Sequence, residues 1–303
     1  MRYRPLAHLP MAVSAISLKL DDSYARTPAQ WAAIGLAALD CGMNCFEIAG
    51  RSPSLVDGLG QALRTVERRL IYVILRAGPC SMPSSNAGAA AFTPAALTGQ
   101  AMAVVARTGL DYLDLIQLDD PGQQDLSAEA LQALKQAKTE GLVNALGVAG
   151  EGPEIDAYIS TGAFDVLTMP FNMLSGSRER RRMRAAGERN MSVLGGASYP
   201  EAMLVVAEAS APKKNLLGWP RRNEGASSAP YGFLHATPDW TVEEICLAFA
   251  LTEPSLASVQ VTPRDIAHLQ ALAAVAEREL PAGLPAQIEM SHFAALGKDK
   301  TRA

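Results

Sequence analysis

Charged side chains stand at the ends of three short apolar runs in this chain. Glu47, Arg76 and Asp119 each occupy such a position, and each run is followed by an amphipathic segment. Two carboxylates beside an arginine can do acid–base work, with the arginine binding an anionic group. The same three side chains can instead form an ion network that plugs the structure, because buried charges must be paired. On the residues alone the structural interpretation is favoured, and the catalytic one stays open.

The elements that must position these side chains alternate regularly along the chain. Apolar runs without strict alternation predict strands of a parallel sheet covered on both faces. A helical pattern follows each run, and eight such units in about 300 residues predict a closed (β/α)8 TIM barrel of the α/β class. A doubly wound open sheet is the alternative. The predicted strands are Val13–Leu20, Asn44–Ala49, Leu70–Leu75, Leu113–Leu118, Ala145–Val148, Asp165–Pro170, Ser192–Ala197 and Ser258–Val261.

The pattern contains no linker, so residues 1–303 are predicted to form a single domain. An N-terminal β-hairpin is expected at about 1–14, and a long irregular loop at about 198–240. The last helix is predicted over Arg264–Leu280, and the polar tail after Pro281 is expected to be frayed. In a barrel, functional residues lie at the C-terminal ends of the strands, where Glu47 and its two charged neighbours stand.

Composition excludes several classes of function. The net charge of −4 and pI of about 5.7 give no positive field for nucleic acid or an anionic membrane. No apolar run approaches the ~20 residues of a membrane span, and no signal-peptide pattern opens the chain, so a cytoplasmic protein is expected. The cysteines lack the spacing of a disulfide framework or a metal site, which predicts buried free thiols and no metal. They are Cys41, Cys45, Cys80 and Cys246.

Several short motifs in fixed order cover nearly the whole chain. They are Tyr3-Arg-Pro-Leu6 with Val13-Ser-Ala15, Leu59-Gly-x-Ala-Leu63, Tyr112-Leu-Asp-Leu-Ile-Gln-Leu118, Gly141-Leu-Val143 with Leu146-Gly-Val148, and Pro170-Phe-Asn172. Together they resemble the aldo-keto reductases. The resemblance implies a (β/α)8 barrel that transfers hydride from a nicotinamide dinucleotide to a carbonyl.

The resemblance also implies a catalytic tetrad, and this chain departs from it at every position. Glu47 stands where the family has an aspartate, Arg76 where it has a lysine, and Asp119 where it has a histidine. The general-acid tyrosine belongs in the loop after the second strand, but the shortened Gly50–Ser54 contains no tyrosine. No member of the tetrad is intact.

These changes oppose carbonyl reduction. Without the phenol the developing alkoxide has no proton donor. Such a donor typically raises the reaction rate by roughly a hundred- to ten-thousand-fold. Arg76 does not deprotonate, so it cannot take the lysine's adjustable role. Asp119 places negative charge where the carbonyl oxygen gains electron density. The alternative is an active NAD(P)H-dependent oxidoreductase in which a carboxyl of Glu47 or Asp119 replaces the phenol.

Cofactor binding is a further implication of the resemblance, with NAD(H) or NADP(H) as the ligand. The pair Ala149-Gly150 replaces the serine and asparagine that hold the carboxamide, and Thr168 replaces a glutamine. Arg264 follows a strand-to-helix turn whose helix N-terminus favours an anion. The predicted cofactor contacts are Ala149, Gly150, Thr168, Asn172, Thr262 and Arg264.

Three functions fit these residues. The first is a degenerate reductase homologue that regulates by binding, the second is the rewired reductase, and the third is a barrel doing other acid–base chemistry with Glu47, Arg76 and Asp119. The pattern of lost residues resembles a family member that regulates bacterial cell division. That resemblance implies contacts with the division tubulin FtsZ and a cell-cycle histidine kinase.

Two segments are candidates for a partner surface. The helix over Arg178–Asn190 carries six arginines, which predicts a solvated outer face or a docking surface for an acidic partner. The stretch Pro212–Pro238 is the second candidate, as a loop over the functional end of the barrel.

Overall fold

The computed structural model of the protein describes residues 1–6, 12–79, 88–122, 124–200 and 231–300. Eight parallel strands close into a barrel in which each strand lies beside the next one along the chain and the last lies beside the first. This confirms the predicted (β/α)8 architecture. The strands are β1 Tyr3–Pro5, β2 Ala12–Ser14, β3 Ile16–Leu20, β4 Cys45–Ile48, β5 Tyr72–Ala77, β6 Leu113–Asp119, β7 Val143–Ala149, β8 Val166–Pro170, β9 Ser192–Gly196 and β10 Leu256–Val261.

Helices follow the barrel strands, and most begin at a capping side chain. Thr27, Ser52, Thr93, Ser127 and Thr241 each accept a hydrogen bond from the backbone N–H three residues on. A proline in the first turn reinforces three of these starts. The helices are α1 Pro28–Asp40, α2 Pro53–Leu63, α3 Gly88–Ala91, α4 Pro94–Thr108, α5 Ala128–Thr139, α6 Glu154–Thr161, α7 Ser177–Glu188, α8 Val242–Leu251, α9 Ile266–Ala274 and α10 Leu284–Lys300.

Two boundary predictions near the C-terminus are wrong. The helix predicted over Arg264–Leu280 is shorter, because α9 gives way to a 3-10 turn at Val275–Glu277. The tail after Pro281 is not frayed, since α10 follows it. Leu284 and Ile288, spaced by one helical turn, are buried in a cluster with residues of α8. Apolar contact therefore orders a segment whose polar end suggested disorder.

The loop predicted at about 198–240 lies largely outside the described residues. Its described end forms a 3-10 helix over Gly232–Ala236, and Leu234 of this turn is buried in the same cluster as α8 and α10.

The barrel interior is apolar at one end and polar at the other. Inward-facing residues near the strand starts, including Cys45 and Tyr72, form a buried cluster. Leu6, directly after β1, and Val13 on β2 join this cluster, so the antiparallel pair β1–β2 covers the N-terminal end of the barrel. The larger core lies between the strands and the surrounding helices.

Strand register places the polar inward-facing residues toward the C-terminal end of the barrel interior. Lys19 on β3 pairs with Glu47 on β4, Glu47 pairs with the apolar Ile74 on β5, and Arg76 on β5 pairs with Gln117 on β6. Side chains two residues apart on a strand share a face, so Glu47 and Arg76 follow Cys45 and Ile74 of the apolar cluster along their strands. Within the described ranges, no helix has the length and apolarity that a membrane crossing requires.

Candidate functional site

An ion network lies at the base of the C-terminal mouth of the barrel. Arg76 Nε lies 2.7 Å from Glu47 Oε1, and Arg76 Nη1 lies 2.7 Å from Asp119 Oδ1. Glu47 is fully buried, whereas the side chains of Arg76 and Asp119 are 15% and 33% exposed. The three charged residues predicted to meet in one mouth therefore do so.

Electrostatics fixes the charge of Arg76. Burial by itself lowers the pKa of the guanidinium, but the carboxylates of Glu47 and Asp119 outweigh burial and raise that pKa above its ordinary value. Arg76 is consequently a permanent cation and cannot exchange a proton during a reaction.

Three further polar side chains complete the network, and of these only Thr168 was predicted as a site residue from the sequence. Gln117 Nε2 donates to Glu47 Oε2 at 3.3 Å, and Gln260 Nε2 donates to the same oxygen. Thr168 Oγ1 in turn donates to Gln117 Oε1 at 2.5 Å. Both glutamines are polar residues inside apolar strands, at the inward-facing position that their strand alternation defines. That alternation is the pattern that would have found them.

A cavity of about 370 Å³ opens above the network. Arg76 and Asp119 line it, but Glu47 does not, because Glu47 lies beneath its hydrogen-bond donors. The lining residues are Lys19, Arg76, Asp119, Asp120, Ala149, Gly150, Glu151, Thr168, Met169, Pro170, Gly196, Ala197, Gln260 and Thr262. We call this space the mouth cavity.

None of the chain's seven tyrosines lines the mouth cavity, although all seven lie in the described ranges. Tyr24 and Tyr199 line a neighbouring cavity of about 600 Å³, and burial raises the pKa of Tyr199. In the shortened loop after β4, the Arg51 guanidinium donates to the carbonyl oxygen of Gly78 at 2.8 Å. An arginine hydrogen-bonded to the backbone therefore stands in the loop where the aldo-keto reductase resemblance would place a tyrosine.

The residues at the nicotinamide end do not fit that group. Gly150 has φ +150°, and a Cβ added there would lie 2.2 Å from Asp120 Oδ1. The Asp120 carboxylate thus fills the space beside Gly150, where the family's asparagine side chain would begin. Thr168 donates its hydroxyl to Gln117. Neither Ala149 nor Gly150 offers a side-chain partner for a carboxamide.

The phosphate end is occupied by the chain's own groups. Asp265 caps α9 by accepting the backbone N–H of His268 at 2.8 Å, which puts a negative charge at the helix N-terminus. The backbone N–H of Arg264 donates to His268 Nδ1 at 3.2 Å. The Arg264 side chain is exposed, with Nε 3.9 Å from Asp265 Oδ2. An incoming phosphate would have to compete with the Asp265 carboxylate for the positively polarised N-terminus of α9.

The six predicted cofactor contacts divide among three places. Ala149, Gly150, Thr168 and Thr262 line the mouth cavity. Arg264 lines the neighbouring cavity that also contains Thr262. Asn172 lines neither, because its amide holds the turn after β8: Nδ2 donates to the Ala197 carbonyl at 3.0 Å and Oδ1 accepts the Leu174 N–H at 2.9 Å.

Comparison with known proteins agrees with this barrel. A model of the Aldo/keto reductase family matches residues 20–290. The chain belongs to this family. Aldo-keto reductase AKR11C1 from Bacillus halodurans in its holo form superposes with a TM-score of 0.74 at 18% identity, over 96% of each chain. The apo form gives 0.72 at the same identity and coverage. Comparison with curated proteins gave no match.

The arginine-rich helix α7 is only partly a solvated face. Arg182 is buried, and its Nε lies 2.7 Å from Asp156 Oδ1. Its Nη1 and Nη2 donate to the carbonyl oxygens of Glu151 and Gly152 at 3.0 and 2.9 Å. Arg181 and Arg184 are exposed. One arginine of the run therefore anchors the loop after β7, and the prediction of a wholly outer face is wrong at this residue.

Proposed function

We propose that this aldo-keto reductase homologue is catalytically degenerate and acts as a regulatory protein. The observation that carries the proposal is the mouth cavity itself. No tyrosine lines it, and Arg76, at the lysine position, is held between two carboxylates. A reduction at this site would lack its proton donor and meet the negative charge of Asp119.

Other acid–base chemistry with the same three residues is less well supported. A pair of carboxylates acting on one substrate requires both groups to reach it. Asp119 lines the cavity, whereas Glu47 is fully buried and accepts hydrogen bonds from Arg76, Gln117 and Gln260. Only one carboxylate of the pair is available to a ligand.

Regulation through NAD(H) or NADP(H) is the form of the proposal that the family suggests. Arg264 and Thr262 are the residues of this chain that could meet such a cofactor's phosphates, whereas the nicotinamide end lacks its usual partners. A titration with NADH and NADPH, followed by fluorescence of Trp31, Trp219 and Trp240, tests this form. Saturable binding that Arg264→Ala weakens supports cofactor gating, and the absence of binding leaves a regulator that acts through partner contacts alone.

The regulatory role we propose is that of a bacterial cell-division factor resembling KidO. The partners of this proposal are FtsZ and a cell-cycle histidine kinase. Charge supports α7 as the contact surface, since Arg181 and Arg184 are exposed on a protein with net charge −4. Complementary charge steers association with an acidic partner.

Co-sedimentation with purified FtsZ polymers tests the partner proposal. We expect the wild-type chain to sediment with the polymers and the double variant Arg181→Glu, Arg184→Glu to remain in solution. The control is Arg69→Glu with Lys135→Glu, which changes charge equally at exposed positions on other elements. No sedimentation of the wild type, or equal sedimentation of both variants, would contradict the proposed contact.

A further inference from the structure

One side of the mouth cavity has a positive charge without an ion-pair partner in the described part of the chain. Lys19 stands near the end of β3 and lines the cavity, and no hydrogen bond or ion pair joins its ammonium to another residue in the described part of the chain. Arg76, the other cation of the lining, is already ion-paired with Glu47 and Asp119. Lys19 is thus the positive group left for a ligand.

The opposite side of the mouth cavity has two carboxylates that form no ion pair within the described ranges. Asp120 and Glu151 follow β6 and β7 and line the same cavity. Neither carboxylate has a cationic partner within the described ranges. In the closed barrel, β7 is the fourth strand from β3 in either direction, so Glu151 stands across the mouth from Lys19.

The backbone carrying these carboxylates is held in place by the surrounding structure. Asp120 has φ +45°, and its carboxylate lies over Gly150, whose missing Cβ makes room for it. Arg182 binds the carbonyl oxygens of Glu151 and Gly152, which fixes the loop after β7. Because the backbone at the site is fixed before binding, less free energy is lost to ordering it.

We infer that the mouth cavity binds a small linear zwitterion. Its carboxylate contacts Lys19, and its ammonium lies between Asp120 and Glu151. Met169, Pro170 and Ala149 supply apolar lining for a methylene chain between the two charges. A simple α-amino acid carries its ammonium and carboxylate on the same carbon, too close together to reach opposite walls of the mouth, so the ligand class is an ω-amino carboxylate.

Calorimetric titration with a homologous series tests the inference. The probes are 3-aminopropanoate, 4-aminobutyrate, 5-aminopentanoate and 6-aminohexanoate. We expect saturable binding with an optimum at one chain length, because only one length spans the mouth. The alkanoate and the alkylamine of that length should bind about tenfold more weakly or worse, since each loses one charge-assisted contact.

Variants assign the two ends of the ligand. Lys19→Met should weaken binding about tenfold or more, and Lys19→Arg, which keeps the charge, should retain most of it. Asp120→Asn with Glu151→Gln should remove the preference for the zwitterion over the alkanoate. Lys135→Met on α5 is the matched control and should bind as the wild type does. Circular dichroism of each variant establishes that it is folded.

Three results would overturn the inference. They are no binding by any member of the series, equal binding of the zwitterion and its alkanoate, and tighter binding of the diamine of the same length. The inference does not rest on the regulatory proposal. Aldehyde turnover or failure to bind FtsZ would contradict that proposal and leave this series to be judged by itself.

Discussion

Arg76 Nε lies 2.7 Å from Glu47 Oε1, in an ion pair that closes the barrel beneath its mouth. The aldo-keto reductase family implies a lysine and an aspartate at these two positions. Here the pair keeps opposite charges but loses the group that can change protonation, because arginine stays charged. Under the proposed function, this contact is structural, and no tyrosine lines the mouth cavity for it to tune.

Glu47→Gln should destabilise the protein by about 3 kcal/mol, because it leaves a mostly buried guanidinium with a single counter-charge. Urea unfolding monitored by circular dichroism measures the change. Asp57→Asn, which breaks the exposed pair between Asp57 and Arg107, is the control and should cost about 1 kcal/mol or less. Equal effects of the two substitutions would show that the buried pair contributes no more than a surface one.

Gly150→Ala should destabilise the protein by about 1–3 kcal/mol, since φ is positive and the new Cβ meets the Asp120 carboxylate. In an Asp120→Gly background the cost should be smaller, because the steric part is removed and only backbone strain remains. A double-mutant cycle of unfolding free energies measures this coupling. A cost that is the same in both backgrounds would rule out the contact as its cause.

Arg182→Met should destabilise the protein by about 2–3 kcal/mol, because two carbonyl oxygens and the Asp156 carboxylate lose a charged donor. Arg181→Met changes the exposed neighbour on the same helix and should stay within about 0.5 kcal/mol of wild type. Thermal unfolding of both variants measures the difference. A large loss in the Arg181 variant alone would contradict the assignment of Arg182 as the anchor.

Acid should abolish the contribution of Asp156 to stability. The hydrogen bond from Arg182 lowers the pKa of the Asp156 carboxyl below its ordinary value. A lowered pKa in the folded state gives stability that is present above the unfolded pKa and is lost as pH falls through the folded pKa. The difference in unfolding free energy between wild type and Asp156→Asn should therefore be constant from pH 7 to about pH 5 and shrink below about pH 4. Urea midpoints across that range test it, and a difference that grows with acid would contradict the sign.

The buried thiols Cys45 and Cys246 should resist alkylation in the folded protein. Burial raises the pKa of Cys246 to about 12 and that of Cys45 well above its ordinary value, so almost no thiolate forms at pH 8. Iodoacetamide labelling followed by peptide mass spectrometry, with and without urea, measures their reactivity. Rapid labelling of either residue without urea would contradict its burial. Cys80 lies outside the described residues.

Sequence patterns predicted the barrel because apolar runs and helix caps are local. Most strands of the barrel follow from apolar runs and β3 from an alternating pattern, while Thr27 and Thr93 mark helix starts by their side-chain chemistry. The clustering of Glu47, Arg76 and Asp119 follows from the rule that strand ends meet at one mouth.

What the sequence did not predict depends on contacts between distant segments. The Asp120 carboxylate fills the space beside Gly150 through a positive-φ turn, which leaves no periodic pattern. Asp265 is an ordinary N-cap in the sequence, and only the fold shows that it occupies the end of α9 expected to receive a phosphate. The helix α10 depends on its contact with α8, so its polar composition was misleading.

The oxidation of NADPH and NADH by purified protein in the presence of model aldehydes is the most direct test of the proposed loss of reductase activity. With no tyrosine at the mouth cavity and Arg76 held between Glu47 and Asp119, we expect no decrease in absorbance at 340 nm beyond that of buffer, at any pH between about 5 and 9. Arg76→Met, which breaks the ion network, should be as inactive as the wild type. Activity that the wild type shows and this variant lacks would demonstrate turnover at the site. Aldehyde-dependent oxidation that is saturable and follows the protein through purification would contradict the degenerate assignment.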